Sequence, residues 1–180
     1  DLGQHPQGGC DPVELSRARI ERGLHEGTIE LAVALLSNFA QRRQLNTLTL
    51  TRSRRQLWVS SNHPLADAGT VGVNQIAEHP YILPMIDEGD RNALKYWRDA
   101  GLRPKSVLKT SSMEALREMV ALGLGVTILS DMVFRPWSLD GRRIRTVEVD
   151  WSVPDMEVGL AWRREALSPP AEACREFLSK

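Results

Sequence analysis

Apolar and polar residues follow strand-like and helix-like periods in turn along this chain. Apolar runs of strand length occupy residues 28–36 and 81–85, and residues 45–51 alternate leucine with Asn and Thr. Further strands are predicted at residues 56–60, 106–109, 126–129, 143–149 and 158–163. Helical spacing predicts helices at residues 12–25, 73–78, 90–100, 111–122 and 168–178. Strands that alternate with helices indicate an α/β fold with mostly parallel sheets.

Capping residues set the predicted helix ends. Glycines at positions 27, 101 and 123 follow three of the helices and are natural stops. Pro12 suits the first position of the first helix, and Asp90 and Ser168 are predicted N-caps. Ser111 and Glu114 have the spacing of a capping box, which makes 111–122 the best-defined helix.

The order of elements predicts two Rossmann-like lobes joined by two crossing strands. Lobe I takes residues 1–62, of which 1–11 are a polar, Gly- and Pro-rich lead-in, and resumes at 158–180 with a return strand and a closing helix. Lobe II takes residues 63–157. A ligand cleft is therefore expected where strand ends of the two lobes meet.

Charge and composition exclude several classes of protein. The 180 residues carry 23 basic and 23 acidic side chains, so a surface that grips DNA phosphates is not expected. No apolar run has the length of a membrane span, and the first residues do not resemble an export signal, so we expect a cytoplasmic protein without membrane contact. Cys10 and Cys174 lack zinc-ligand spacing, and neither a metal nor another cofactor is expected.

Five stretches, in order, resemble the effector-binding domain of LysR-type transcriptional regulators. They begin with the run from Ile20 to Val33 and continue with residues 56–66, which end in His63-Pro64-Leu65-Ala66. The others are residues 76–82, residues 111–129 with Met119-Val120-Ala121-Leu122-Gly123-Leu124-Gly125, and residues 161–169. This resemblance implies a periplasmic-binding-protein-like fold that senses a small-molecule effector and catalyses nothing.

The resemblance also implies partners. A LysR-type regulator is expected to form a homodimer or higher homo-oligomer and to bind DNA only through an N-terminal domain, which this sequence does not contain. The family's effector domain opens with a further strand and helix before the segment at Ile20, and the 19 residues that precede it do not match them.

Polar residues directly after strands are the candidate ligand contacts. Ser37 and Asn38 follow the strand that ends at residue 36, and Thr110, Ser111 and Ser112 lie between a strand and the helix at 111–122. Ligands of open α/β sheets bind at such positions, where helix N-termini offer free N–H groups. The alternatives are an ordinary turn at Ser37 and Asn38 and a purely structural helix cap at Ser111.

Other site residues follow from the resemblance. It places Pro84 and Met85, with the acidic loop that follows them, in the wall of the second lobe. It also favours Arg54 as a partner for an acidic effector, although a solvated turn is the alternative for this arginine.

Two other functions remain open at this level. An exported solute-binding protein would share the two-lobed architecture, and a small α/β enzyme is the less favoured alternative. No GxSxG, P-loop, HExxH or strand-following GxGxxG motif is present, so no catalytic residue is predicted.

Overall fold

The computed structural model describes residues 13–180 and divides the chain into two compact units. Unit 1 contains the described residues up to Arg52 together with Met156–Lys180, and unit 2 is Ser53–Asp155. The predicted lead-in at residues 1–11, Pro12 and Cys10 lie outside the described residues.

Unit 1 has a three-stranded sheet and two helices. Its strands are β1 (Leu31–Leu35), β2 (Asn46–Ser53, which continues into unit 2) and β9 (Met156–Trp162), and its helices are α1 (Arg17–Glu26) and α5 (Pro169–Leu178). Short 3-10 helices follow β1 at Leu36–Asn38 and precede β2 at Arg42–Gln44. The strand order is β1-β9-β2, with β1 and β9 antiparallel.

Unit 2 has six strands and three α-helices. In chain order they are β3 (Arg55–Ser60), β4 (Thr70–Gly72), α2 (Val73–Ala77), β5 (Pro80–Pro84), α3 (Gly89–Asp99), β6 (Ser106–Thr110), α4 (Met113–Ala121), β7 (Thr127–Ser130) and β8 (Ile144–Asp150). A 3-10 helix at Asp131–Val133 follows β7.

The sheets combine parallel and antiparallel pairings. The strand-helix-strand run β5-α3-β6 forms a parallel pair, and a parallel bridge from Tyr81 to Val126, the residue before β7, connects β7 to β5. β3 runs antiparallel to both β7 and β8. The α/β class is confirmed, with more antiparallel pairing than the alternation of elements predicts, because β3 and β9 pair with strands that are distant in the sequence and run in the opposite direction.

Side chains that alternate along β3 build two apolar clusters in unit 2. Leu57 and Val59 belong to the cluster that includes Trp97 of α3, whereas Trp58 belongs to the cluster that includes Leu116 of α4. Successive residues of a strand point to opposite faces of a sheet. Burial on both faces explains the continuous apolar runs at residues 57–59 in β3 and 81–83 in β5.

Two predicted N-caps and one predicted helix start are wrong. The first helix begins at Arg17 because Ser16 is its N-cap, with its Oγ accepting from the Arg19 N–H at 3.4 Å. Ser112, not Ser111, caps α4 by accepting from the Ala115 N–H, so the predicted capping box with Glu114 does not form. The N-cap of α3 is Glu88, without a side-chain bond, rather than Asp90.

The predicted glycine stops are confirmed. Gly27, Gly101 and Gly123 have φ of 79°, 68° and 74°, the left-handed conformation that ends a helix most readily at glycine. Ser168 is confirmed as the residue before α5. None of the helices among residues 13–180 is long and apolar enough to cross a membrane.

Candidate functional site

The carboxyl ends of β5 and β6 bring together three of the predicted ligand residues in unit 2. Pro84 lies opposite Thr110 in the parallel register, and the Met85 N–H donates to the Thr110 carbonyl at 2.8 Å. Pro84 is buried, whereas the Met85 side chain is 43% exposed. An accessible apolar residue therefore follows β5 at the edge of the sheet where Thr110 ends β6.

The hydroxyl groups of Thr110 and Ser112 order the entrance to α4. Thr110 Oγ1 accepts from the Ser112 N–H at 3.2 Å, and Ser112 Oγ accepts from the Ala115 N–H at 3.1 Å. Thr110 Oγ1 also donates to the Ser112 carbonyl at 3.5 Å, whereas the Ser112 hydroxyl still has its own hydrogen to donate. Ser111 and Ser112 are exposed, so both hydroxyls are accessible to a bound molecule.

A third strand end reaches the same edge, and sequence reasoning missed it. The parallel bridge to β5 directs β7 toward this edge, where Ser130 Oγ donates to Ser53 Oγ at 2.8 Å. The Met132 N–H donates to Ser53 Oγ and to Ser130 Oγ, both at 3.1 Å. The signal was a serine directly after an apolar strand, the same signal that singled out Thr110.

Arg54 faces a carboxylate of its own unit. Its Nε lies 3.1 Å from Oδ2 of Asp131, and Gln56 donates to Oδ1 of the same carboxylate at 2.7 Å. The predicted contact between Arg54 and an acidic effector would have to compete with this pair, in which the positive charge already has a partner.

The loop after Met85 is held close to the strand by backbone geometry. Asp87 and Glu88 have φ of 50° and 59°, a left-handed conformation that is uncommon outside glycine. Gly89 follows, and a Cβ there would lie 2.7 Å from Cγ and 2.9 Å from the carbonyl oxygen of Pro84. Gly89 therefore allows the loop to lie against Pro84.

Ser37 lies in the 3-10 helix that follows β1 in unit 1. Its Oγ accepts from the Glu157 N–H at 3.2 Å, which connects the end of β1 with the start of β9. Asn38 ends the same 3-10 helix and is half-buried. The structure thus places both predicted residues at the carboxyl end of a strand, as expected.

An ion cluster around the buried Glu157 carboxylate adjoins Ser37, and no local sequence pattern predicted it. Glu157 is 8% exposed, and its two carboxylate oxygens accept from Arg42 and Arg52 separately. Hydrogen bonding from Arg42, followed by the charges of both arginines, holds the pKa of Glu157 below its ordinary value. We call Arg42, Arg52 and Glu157 the arginine cluster.

The described residues offer no metal-ligand group. No set of three or more His, Cys, Asp or Glu side chains within residues 13–180 is placed to hold a metal ion. The His63 and His79 rings pack edge to face with centroids 4.5 Å apart, and His63 Nδ1 accepts from the Leu65 N–H at 3.1 Å. Burial, followed by the charge of His79, lowers the pKa of His63.

The sequence and the fold are similar to those of known bacterial regulators. The HTH-type transcriptional regulator YybE of Bacillus subtilis is 25% identical over 151 residues, which are 83% of this chain and 50% of that protein. The C-terminal domain of a probable LysR family transcriptional regulator from Rhodococcus sp. RHA1 matches with a TM-score of 0.75 and 26% identity over 93% of this chain and 82% of that one. The BenM effector binding domain, solved with its effector benzoate, matches with a TM-score of 0.69 and 17% identity over 92% of this chain and 75% of that one.

The fold and its polar strand ends define an α/β ligand-binding domain of the periplasmic-binding-protein type. The chain belongs to the LysR substrate-binding domain family, whose family model matches residues 2–180. Its relatives are transcriptional regulators, which confirms the expectation of a regulator rather than an enzyme and does not favour an exported solute-binding protein. The chain spans about half the length of the curated relatives it matches.

Proposed function

We propose that this chain is the effector-sensing domain of a LysR-type transcriptional regulator, with units 1 and 2 as its two lobes. A small molecule binds to the polar strand ends, and its occupancy is coupled to DNA binding by a separate N-terminal domain. Coupling of this kind requires that the effector bind one conformation more tightly than another. The regulator acts in the cytoplasm as a homodimer or higher homo-oligomer.

The observation that carries the proposal is the carboxyl edge of unit 2. Five predicted residues belong to one edge, because β5 and β6 end side by side and α4 begins directly after β6. Exposed hydroxyls, a partly exposed methionine and a helix N-terminus are the groups with which α/β sheets bind small polar ligands. The ligand contacts proposed here are Pro84, Met85, Thr110, Ser111 and Ser112 in unit 2, with Arg54 beside them, and Ser37 and Asn38 in unit 1.

A binding experiment on two serines tests the site. An effector is first found by screening a small-molecule panel that includes benzoate for compounds that raise the melting temperature of the chain. Replacing both serines (Ser111→Ala with Ser112→Ala) should then weaken its affinity more than about tenfold, or about 1.4 kcal/mol. The loss of the two hydroxyls and the loss of order at the start of α4 should both lower the affinity for the effector.

The control separates ligand contact from loss of a helix cap. Ser16→Ala removes the N-cap hydroxyl of α1 in unit 1, and either cap loss should cost about 1 kcal/mol of stability. Only the double variant should lose affinity. Unchanged affinity in a double variant that retains its circular dichroism spectrum would remove these serines from the site.

A further inference from the structure

The arginine cluster contains more positive charge than its carboxylate neutralises. Glu157 supplies one negative charge to two guanidinium groups, so the cluster carries a net charge of +1. The members come from three segments of unit 1: Arg42 from the 3-10 helix before β2, Arg52 from β2 and Glu157 from β9. A structural ion pair would need only one of the two arginines.

Both guanidinium groups retain unused hydrogen-bond donors. A guanidinium has five N–H donors. Among the described residues, Arg42 bonds to Glu157 and, at 3.5 Å, to Thr49 Oγ1, whereas Arg52 bonds to Glu157 alone. The side chains of Arg42 and Arg52 are 35% and 61% exposed, so the remaining donors are accessible from solvent.

Glu157 gives these donors a defined position. It is buried, its backbone N–H donates to Ser37 Oγ, and each carboxylate oxygen bonds to a different arginine. Donors that are held in place before binding lose less conformational entropy when an anion arrives. The cluster therefore has the properties of an anion-binding group and lies next to Ser37.

We propose that Arg42 and Arg52, positioned by Glu157, form a cationic subsite that binds the carboxylate or similar oxyanion of the effector. The proposal rests on the proposed function and specifies the ligand class. Arg52 is the last residue of unit 1 before the chain enters unit 2, and Glu157 is the second residue after it returns. An anion at this subsite therefore contacts the chain next to both points at which the backbone passes between unit 1 and unit 2.

Pairs of ligands that differ only in charge test this subsite. The probes are small aromatic and aliphatic carboxylates, each matched with its neutral amide, beginning with benzoate and benzamide. The wild-type chain should bind carboxylates more tightly than their amides. In Arg52→Gln this preference should fall about tenfold, as expected for loss of a charged hydrogen bond.

Arg43→Gln is the matched control, because Arg43 is a neighbouring exposed arginine outside the cluster and the variant loses the same charge. The preference should persist in this variant. Equal binding of carboxylates and amides by the wild type, or a preference that Arg52→Gln leaves intact, overturns the subsite and leaves the proposed function standing. Failure of the wild type to bind any member of the panel counts against both.

Discussion

The strand ends of the two units use different chemistry. In unit 2 the candidate ligand groups are hydroxyls, a methionine and backbone N–H groups, and the nearby Arg54 is paired with Asp131. In unit 1, two arginines surround one buried carboxylate beside Ser37. Under the two proposals above, uncharged polar recognition and anion recognition belong to separate parts of the chain, although both candidate sites lie where β-strands end.

The largest expected effect is a loss of stability from a substitution at Gly159, in the sheet of unit 1. A Cβ at Gly159 on β9 would lie 2.2 Å from the Leu48 carbonyl oxygen on β2. Because that atom belongs to the backbone, Gly159→Ala should destabilise the chain by at least about 3 kcal/mol. Urea unfolding followed by circular dichroism measures the change.

Gly72→Ala in unit 2 is the control for this prediction. The nearest atom to a Cβ at Gly72 is Gln75 Oε1 at 3.8 Å, which is ordinary contact, so the cost should stay below about 1 kcal/mol. Similar losses in the two glycine variants would contradict the close approach of β9 and β2.

An intermediate effect is expected for Glu157→Gln. The substitution leaves two arginines around an uncharged amide and should cost about 2 kcal/mol near neutral pH. The folded-state pKa of Glu157 is lowered, so its stabilising contribution is present above its ordinary value of 4.5 and is lost as the pH falls further. The difference between wild type and variant should therefore shrink in acid. A gap that is constant from neutral to acid pH would argue against an ionised Glu157.

The smallest expected effect is a pH dependence of the free energy of unfolding that arises from His63 in unit 2. The pKa of His63 is lowered, so its contribution is complete above the ordinary value of 6.5 and is lost as the pH falls below it. The slope cannot exceed about 1.4 kcal/mol per pH unit, the limit for one proton.

His63→Asn is the matching variant. The asparagine oxygen can accept from the Leu65 N–H in an Asx turn, as His63 Nδ1 does, but it does not titrate. The variant should lose the slope between pH about 7 and 5.5 and retain the acid loss due to Glu157. A slope that persists in full would assign the titration to another group.

Local signals predicted most of the elements and much of the unit 2 edge. Apolar periodicity and glycine stops are properties of neighbouring residues, and both are readable without the fold. Ser37 and Thr110 were singled out because a strand that ends in a polar residue is also a local pattern, whereas Pro84 followed from the family resemblance. The error of one residue at the α4 cap arose because Ser111 and Ser112 are equivalent by composition, and only the backbone conformation selects Ser112.

Long-range ion pairs were not predictable in the same way. Glu157 is 115 residues from Arg42 and 105 from Arg52, and Arg54 is 77 residues from Asp131. No periodicity connects such positions, because their proximity depends on which strands pair and in which register. Arg54 was singled out as a candidate contact, but the sequence could not assign Arg52 to Glu157 and Arg54 to Asp131.

The placement of the tryptophans has an optical consequence. Trp162 alone belongs to unit 1, where Arg175 lies 5.5 Å from its ring centroid, and the other four of the five belong to unit 2. Within the described part of the chain, the indole nitrogens of Trp58 and Trp97 are buried without a hydrogen-bond partner. Intrinsic fluorescence should therefore combine blue-shifted emission from Trp58 and Trp97 with red-shifted emission from Trp137, which is 54% exposed. All three belong to unit 2, so that in a Trp162→Phe variant the tryptophan signal would come from that half of the protein alone.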